Sequence, residues 1–159
     1  MALKATFDAG FIRKQSAAKM AEIDKKIIDS LAYVGTLAVN HAREQAPSTG
    51  FNDVTGNLRS SIGFVIYKNG ERLIDSGFQV VGKGIDGPIK SYEYVENVAS
   101  KYRTGYLLIV VAGMDYASRV ETMGKDVITS AKHKAEKDLP QRLEALAKNL
   151  KTSVNIQYV

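Results

Sequence analysis

An α+β fold follows from three features of the sequence. Amphipathic helical patterns occupy both ends, an Asn-Gly hairpin signal sits near the middle, and an apolar strand-like run covers residues 105 to 112. The expectation is one domain over residues 1–159. It has a long N-terminal helix, a mostly antiparallel sheet of about four strands with a hairpin at Asn69-Gly70, and C-terminal helices packed on one face. A loop or arm is expected as an insertion at 82–104.

Each element has a local reason. From 12 to 46, Met20, Ile23, Ile27, Leu31, Val34, Ala38 and Ala42 recur every three or four residues, the spacing of one helix face. Lys19, Glu22, Lys25, Lys26 and Asp29 take the other face. Such a helix is about 50 Å long, more than the core of a domain this size needs. Gly35 weakens it, and Pro47 ends it by pushing Ala46 out of the helical region. Ser48 to Gly56 is turn chemistry, and Thr55 or Asn57 is placed to cap a single turn from Leu58 to Ser61. "IGFVIYK" at 62 to 68 reads as a strand. Asn69 and Gly70 suit a two-residue type I′ turn, and the return strand is expected from Arg72 to Val81.

Residues 82 to 90, "GKGIDGPIK", read as a loop, and 91 to 100 as a short helix or irregular arm. "GYLLIVVA" at 105 to 112 is apolar on both faces, so it reads as a central strand covered on both sides. Asp115 is placed to cap a helix that closes at Gly124. The last helical pattern, Ile128 to Lys151, buries Ala131, Ala135, Leu139, Leu143, Leu146 and Leu150. Pro140 predicts a break, with Asp138 and Gln141 offering a capping box for a fresh start. "SVNIQYV" alternates like an edge strand.

Composition excludes several function classes. The 159 residues carry no cysteine, which removes disulfides, thiolate catalysis and Cys-zinc sites. No apolar run approaches the roughly 20 residues of a membrane span. "MALKATFDAGFIRK" has no h-region, so no secretion signal is expected. The net charge of +5 is spread out. Lys+Arg against Asp+Glu number seven to five over 1–50, nine to nine over 51–128, and six to three over 129–159. Nucleic-acid binders concentrate basic charge in a stripe, so direct nucleic-acid binding is not the leading expectation. A small basic module using Lys132, Lys134, Lys137 and Arg142 is the alternative.

Candidate chemistry is sparse. Gly82, Gly84 and Gly87 spell G-x-G-x-x-G, but after a hairpin strand and before Pro88, not at the opening of a βαβ helix. Gly50 and Gly56 are spaced one residue too far apart for a P-loop, and Asn57-Leu58 replaces its Lys-Ser/Thr. His41 and His133 have no carboxylate at ligand spacing. Asp115, Glu121 and Asp126, with Glu93 and Glu96 upstream, are the material for a hydrolase, the second alternative. No catalytic residue, cofactor or metal site is expected. Tyr92, Tyr94, Tyr102, Tyr106 and Tyr116 suit either interface or core packing.

Two stretches together carry a resemblance. "HAREQAPSTGFNDVTGNLRSSI" resembles an Ala-Pro…Thr-Gly-Asn-Leu-Arg-x-Ser-Ile pattern at the end of a long first helix. "VVAGMDYASRVETMG" resembles a Tyr-Ala-x-x-Val-Glu…Gly segment after a strand. Both are similar to the tail-completion, or head–tail joining, proteins of long-tailed double-stranded DNA bacteriophages and prophages. The link from Pro47 to Thr55 is expanded here, and Arg119 stands where an aromatic is common. The resemblance implies a non-enzymatic virion component at the head–tail junction or tail end. It would self-associate in a ring, bind other neck or tail proteins, and reside in the virion, or in the host cytoplasm before assembly. Carried over, the motif and assembly residues are Pro47, Thr55, Gly56, Leu58, Arg59, Tyr116, Arg119 and Glu121.

Overall fold

The computed structural model describes residues 9–44 and 50–150, and its elements are those of an α+β domain. In chain order they are α1 (Ala9–Arg43), α2 (Asn57–Ser60), β1 (Ile62–Lys68), β2 (Glu71–Asp75), α3 (Asp86–Ala99), β3 (Tyr106–Ala112), α4 (Ala117–Thr122) and α5 (Thr129–Leu150). Three strands form one antiparallel sheet in the order β2-β1-β3. That is one fewer than expected among the described residues; the candidate edge strand at 153–159 lies outside them.

Strand alternation divides the core in two. Ile62, Phe64 and Ile66 point to a layer built by Leu31, Ala38 and Ala42 of α1 and Ala131 of α5. Val65 and Tyr67 point the other way, with Ile109 and Val111, onto Val95 and Ala99 of α3. β1 is therefore the central strand, buried on both faces. The run at 106–112 is the edge strand β3, though both its faces are covered as its composition requires.

Four departures from the sequence reading have local causes. The return strand stops at Asp75, because Gly77 turns the chain at φ 67° and its N–H bonds the Asp75 carboxylate at 2.9 Å. Phe78 then folds over Gly63 and meets Tyr92 edge-on at 4.7 Å. Residues 86–99 form a helix: it realises the helical alternative for 91–99 and extends it back over 86–90, which read as loop. Pro88 falls in its first turn, where proline is tolerated, and Asp86 faces the positive end of the helix dipole. α5 runs unbroken through Pro140, because Ala131 before it and Leu143 and Ala147 after it are all buried. Asp115 does not cap α4; the helix starts after Tyr116 with no side-chain cap.

The hairpin forms as expected, with Asn69 at φ 52° and Gly70 at φ 83°, both in the region a type I′ turn needs. At this end of the sheet the Asp24 carboxylate of α1 binds Lys68 Nζ and accepts the Tyr106 hydroxyl. The Lys68 bond, then the Tyr106 bond, hold the Asp24 carboxyl below its ordinary value. The Lys68 ammonium is raised by the same Asp24 hydrogen bond. The Tyr106 hydroxyl is raised by desolvation first and by Asp24 second. A depressed carboxyl stabilises the fold above its unfolded value of 3.8 and loses that stabilisation as pH falls through the lower folded value. Raised Lys and Tyr groups stabilise below their unfolded values and lose it as pH rises through the folded ones. Asp24→Asn is expected to flatten both limbs of the stability–pH curve, acid below about 4 and alkaline above about 10. Urea midpoints measured from pH 2.5 to 11 test this; unchanged limbs would refute it.

Candidate assembly interface

Pro47, and the chain from 45 to 49, lie outside the described residues. The rest of the motif forms a clamped turn. Gly56 sits at φ 85°, a left-handed conformation, immediately before α2. Asn57 is not the cap; the Thr55 hydroxyl accepts the Asn57 N–H at 3.3 Å, and Asp53 takes the neighbouring donors. One oxygen of the Asp53 carboxylate accepts the N–H of Gly56 at 3.0 Å and of Leu58 at 3.3 Å, and the other accepts Arg59 N–H at 2.7 Å. Leu58 is buried in the turn, and the Arg59 guanidinium stacks over Phe51 at 5.5 Å. Arg43, at the end of α1, donates to Ile62 O at 2.7 Å and to Gln79 Oε1 at 3.2 Å. These contacts join helix, turn and sheet. Sequence reasoning missed Asp53 because an acceptor four residues upstream of the first helical residue is outside the usual cap position.

The glycines of the G-x-G-x-x-G stretch serve this turn. A Cβ on Gly84 would lie 2.4 Å from the Gly56 backbone, and one on Gly87 2.4 Å from Asn57 O. The Ser60 hydroxyl accepts Val81 N–H at 2.7 Å, and Lys83 N–H bonds Thr55 O at 3.2 Å. Segment 81–87 is thus laid directly on 55–61, and its glycines allow close packing.

The second motif meets the first here. Gly113 N–H bonds Ser61 O at 3.3 Å, and a Cβ on Gly113 would lie 2.4 Å from Ser91 Cα. The Tyr116 hydroxyl lies beside the Thr55 side chain; desolvation first, then the Asp53 charge, raises it. Together the three segments expose Val54, Val81, Ile85, Ile89 and Tyr116 at one end of the molecule, Val54 at 96% and Ile85 at 67%.

Arg119 and Glu121 lie elsewhere on α4. Arg119 is exposed, and its carbonyl accepts the Thr122 hydroxyl at 2.7 Å. Glu121 caps α5: its Oε1 accepts Ile128 N–H at 2.8 Å and Thr129 N–H and hydroxyl, both at 2.9 Å. Glu121→Ala leaves these donors without an acceptor and is expected to cost about 1–2 kcal/mol. A urea midpoint equal to the parent's would show that the cap contributes nothing.

No family model, curated protein or solved structure matches the chain.

A shallow hollow of about 310 Å³ beside α5 is lined by Glu121, Asp126, Ser130 and His133. Its carboxylates are engaged in capping. Asp126 accepts Ser130 N–H at 3.1 Å and also the Ser130 hydroxyl. His41 Nε2 lies 2.9 Å from that same hydroxyl oxygen. Because the hydroxyl hydrogen goes to Asp126, the imidazole must donate, so it does not serve as base to Ser130. The carboxylates 93 and 96 are also apart from this hollow; Glu96 binds Arg72 and Tyr67. Among the described residues, no group of three His, Cys, Asp or Glu is arranged to hold a metal.

Of the basic residues on α5, Lys132 lies 3.7 Å from Glu136, and Arg142 stacks on Tyr33 at 3.6 Å. No described helix is long and apolar enough to cross a membrane.

Proposed function

We propose that this protein is a non-enzymatic component of a long-tailed bacteriophage or prophage particle, a self-associating subunit of the head–tail junction or tail end. One observation carries the reading. The two segments that resemble tail-completion proteins, 41–62 and 110–124, are distant in sequence yet join at one end of the fold, where Gly113 N–H bonds Ser61 O and the Tyr116 hydroxyl lies beside the Thr55 side chain. There they border an exposed apolar surface. Contiguous exposed apolar area rimmed by polar groups is the signature of a contact surface.

The turn at 50–61 sets the angle between the outer helix and the sheet, and 81–87 backs it. Both serve to hold a surface rather than to bind a reactant. The partners on this reading are other copies of the chain and other neck or tail proteins, and the site is the virion.

Light scattering over a wide concentration range, combined with electron microscopy, tests it. Mass rising with concentration and annular or stacked particles are the expected result. Turnover of a hydrolysable substrate that is lost in Asp126→Asn or Ser130→Ala would overturn it.

A further inference from the structure

The two edges of the sheet differ. β2 has five residues, shifts register against β1 between Ile66 and Tyr67, and carries Glu71, Arg72 and Asp75. Short length, a bulge and charge are devices that keep an edge from pairing. β3 has none of them: its seven residues, YLLIVVA, are uncharged and in unbroken register with β1.

The open side of β3 follows from its bonds. Asn69 N–H bonds Gly105 O at 2.8 Å, and Gly113 N–H bonds Ser61 O at 3.3 Å. The odd-numbered residues of β3 therefore turn their backbone groups to β1, and Tyr106, Leu108, Val110 and Ala112 turn theirs outward. The side chains of these four join the α1 layer and are only partly buried. Among the described residues, no strand pairs with this side.

We propose that residues 153–159 of the same chain close this edge as a fourth strand, parallel to β3. Position favours it. α5 lies antiparallel to α1, since Ser130 meets His41 at 2.9 Å and Arg142 stacks on Tyr33 at 3.6 Å. Leu150 is about 12 Å beyond Arg142, level with Lys25 of α1. The adjacent Asp24 accepts the Tyr106 hydroxyl, so α5 ends at the height where β3 begins. Handedness favours it too. Viewed from the helical side with β3 running upward, L-residues that face the viewer carry their N–H and C=O to the right. The open edge is on that side, and a strand added there after α5 makes a right-handed crossover, the hand nearly all such connections take.

The segment SVNIQYV has no charged side chain, glycine or proline. With Val154, Ile156 and Tyr158 beside Tyr106, Leu108 and Val110, its apolar row completes the cover of the α1 layer, and Asn155 falls beside Leu107. Parallel pairing then bonds Leu108 N–H to Asn155 O and Val110 N–H to Gln157 O. This contact is independent of the assembly reading, and it leaves the exposed end surface uncovered.

Amide hydrogen exchange on the full chain, read by NMR, tests the pairing. The N–H groups of Leu108 and Val110 are expected to exchange on the order of 100-fold more slowly in the parent than in Asn155→Pro/Gln157→Pro, whose prolines cannot donate to the ladder. Ile109 N–H, bonded to β1, is the internal control and should stay protected in both. The cysteine-free chain permits a second test. Leu107→Cys/Asn155→Cys, oxidised at low protein concentration, is expected to form a disulfide within one chain. Its yield should exceed on the order of tenfold that of Leu107→Cys/Ile156→Cys, whose thiols would lie on opposite faces. Disulfide-linked dimers in place of closed monomers would mean that the strand is donated to another copy, and would overturn the contact. So would a yield no higher than the control's, or Leu108 and Val110 amides that exchange alike in the parent and the proline variant.

Discussion

Gly56→Val is expected to lower the stability of the fold by about 3–5 kcal/mol, the sum of two separate costs. At φ 85° an L side chain is strained whatever surrounds it, and a β-branched one more so. In addition, a Cβ there would lie 1.9 Å from the Val81 carbonyl oxygen, a backbone atom that cannot swing aside. Relief requires segment 81–87 to lift from 55–61, which breaks the bonds from Lys83 to Thr55 and from Val81 to Ser60. Gly77→Ala separates the two costs: φ is 67° there, but nothing lies within 4 Å. That control should lose only about 1 kcal/mol of backbone strain. Urea unfolding of both, with equal m-values, measures the difference; equal midpoints would mean that the clamp carries no energy. Because the exposed surface is built from both clamped segments, Gly56→Val should also weaken self-association at temperatures where the chain stays folded.

Periodic patterns made most of the fold legible. Leu31, Val34, Ala38 and Ala42 are buried at the spacing read from the sequence, and Asn69-Gly70 makes the turn it signals. Punctuation residues misled where their position mattered more than their identity. Pro88 reads as a breaker until it is known to occupy a first helical turn. Pro140 reads as a stop, yet packing on both sides of it holds α5 together. Phe78 and Val80 alternate like a strand, but Gly77 has already turned the chain, and the alternation serves a residue laid across Gly63.

The candidate site was legible in its parts and not in its assembly. Thr55, Gly56, Leu58 and Tyr116 could be singled out from the two motifs, and the fold brings them together. Arg119 and Glu121 belong to the same motif but point to different work, Glu121 to the start of α5. Asp53 and the glycines 84 and 87 were missed as contributors. Their roles depend on which segments lie against each other, and no local spacing encodes that.

Gly35 carries the second large effect, and its sign separates local from tertiary reasoning. Helix propensity alone makes any ordinary residue better than glycine at this place, by up to about 1 kcal/mol. The packing demands the opposite. A Cβ on Gly35 would lie 2.7 Å from Cγ of Phe64, a ring 5% exposed at the centre of the α1 layer. The helix therefore approaches the sheet closely because that position lacks a side chain. Gly35→Val is expected to cost about 3 kcal/mol, with overpacking outweighing the propensity gain. Phe64→Ala alone should cost about 3–5 kcal/mol, through lost burial and a cavity. In the double variant the valine partly fills the space the ring leaves, so the combined loss should fall short of the two single losses by at least about 1 kcal/mol. Additive losses would mean that the ring does not set the helix–sheet distance. A Gly35→Val protein as stable as the parent would mean that α1 does not approach the sheet at this point.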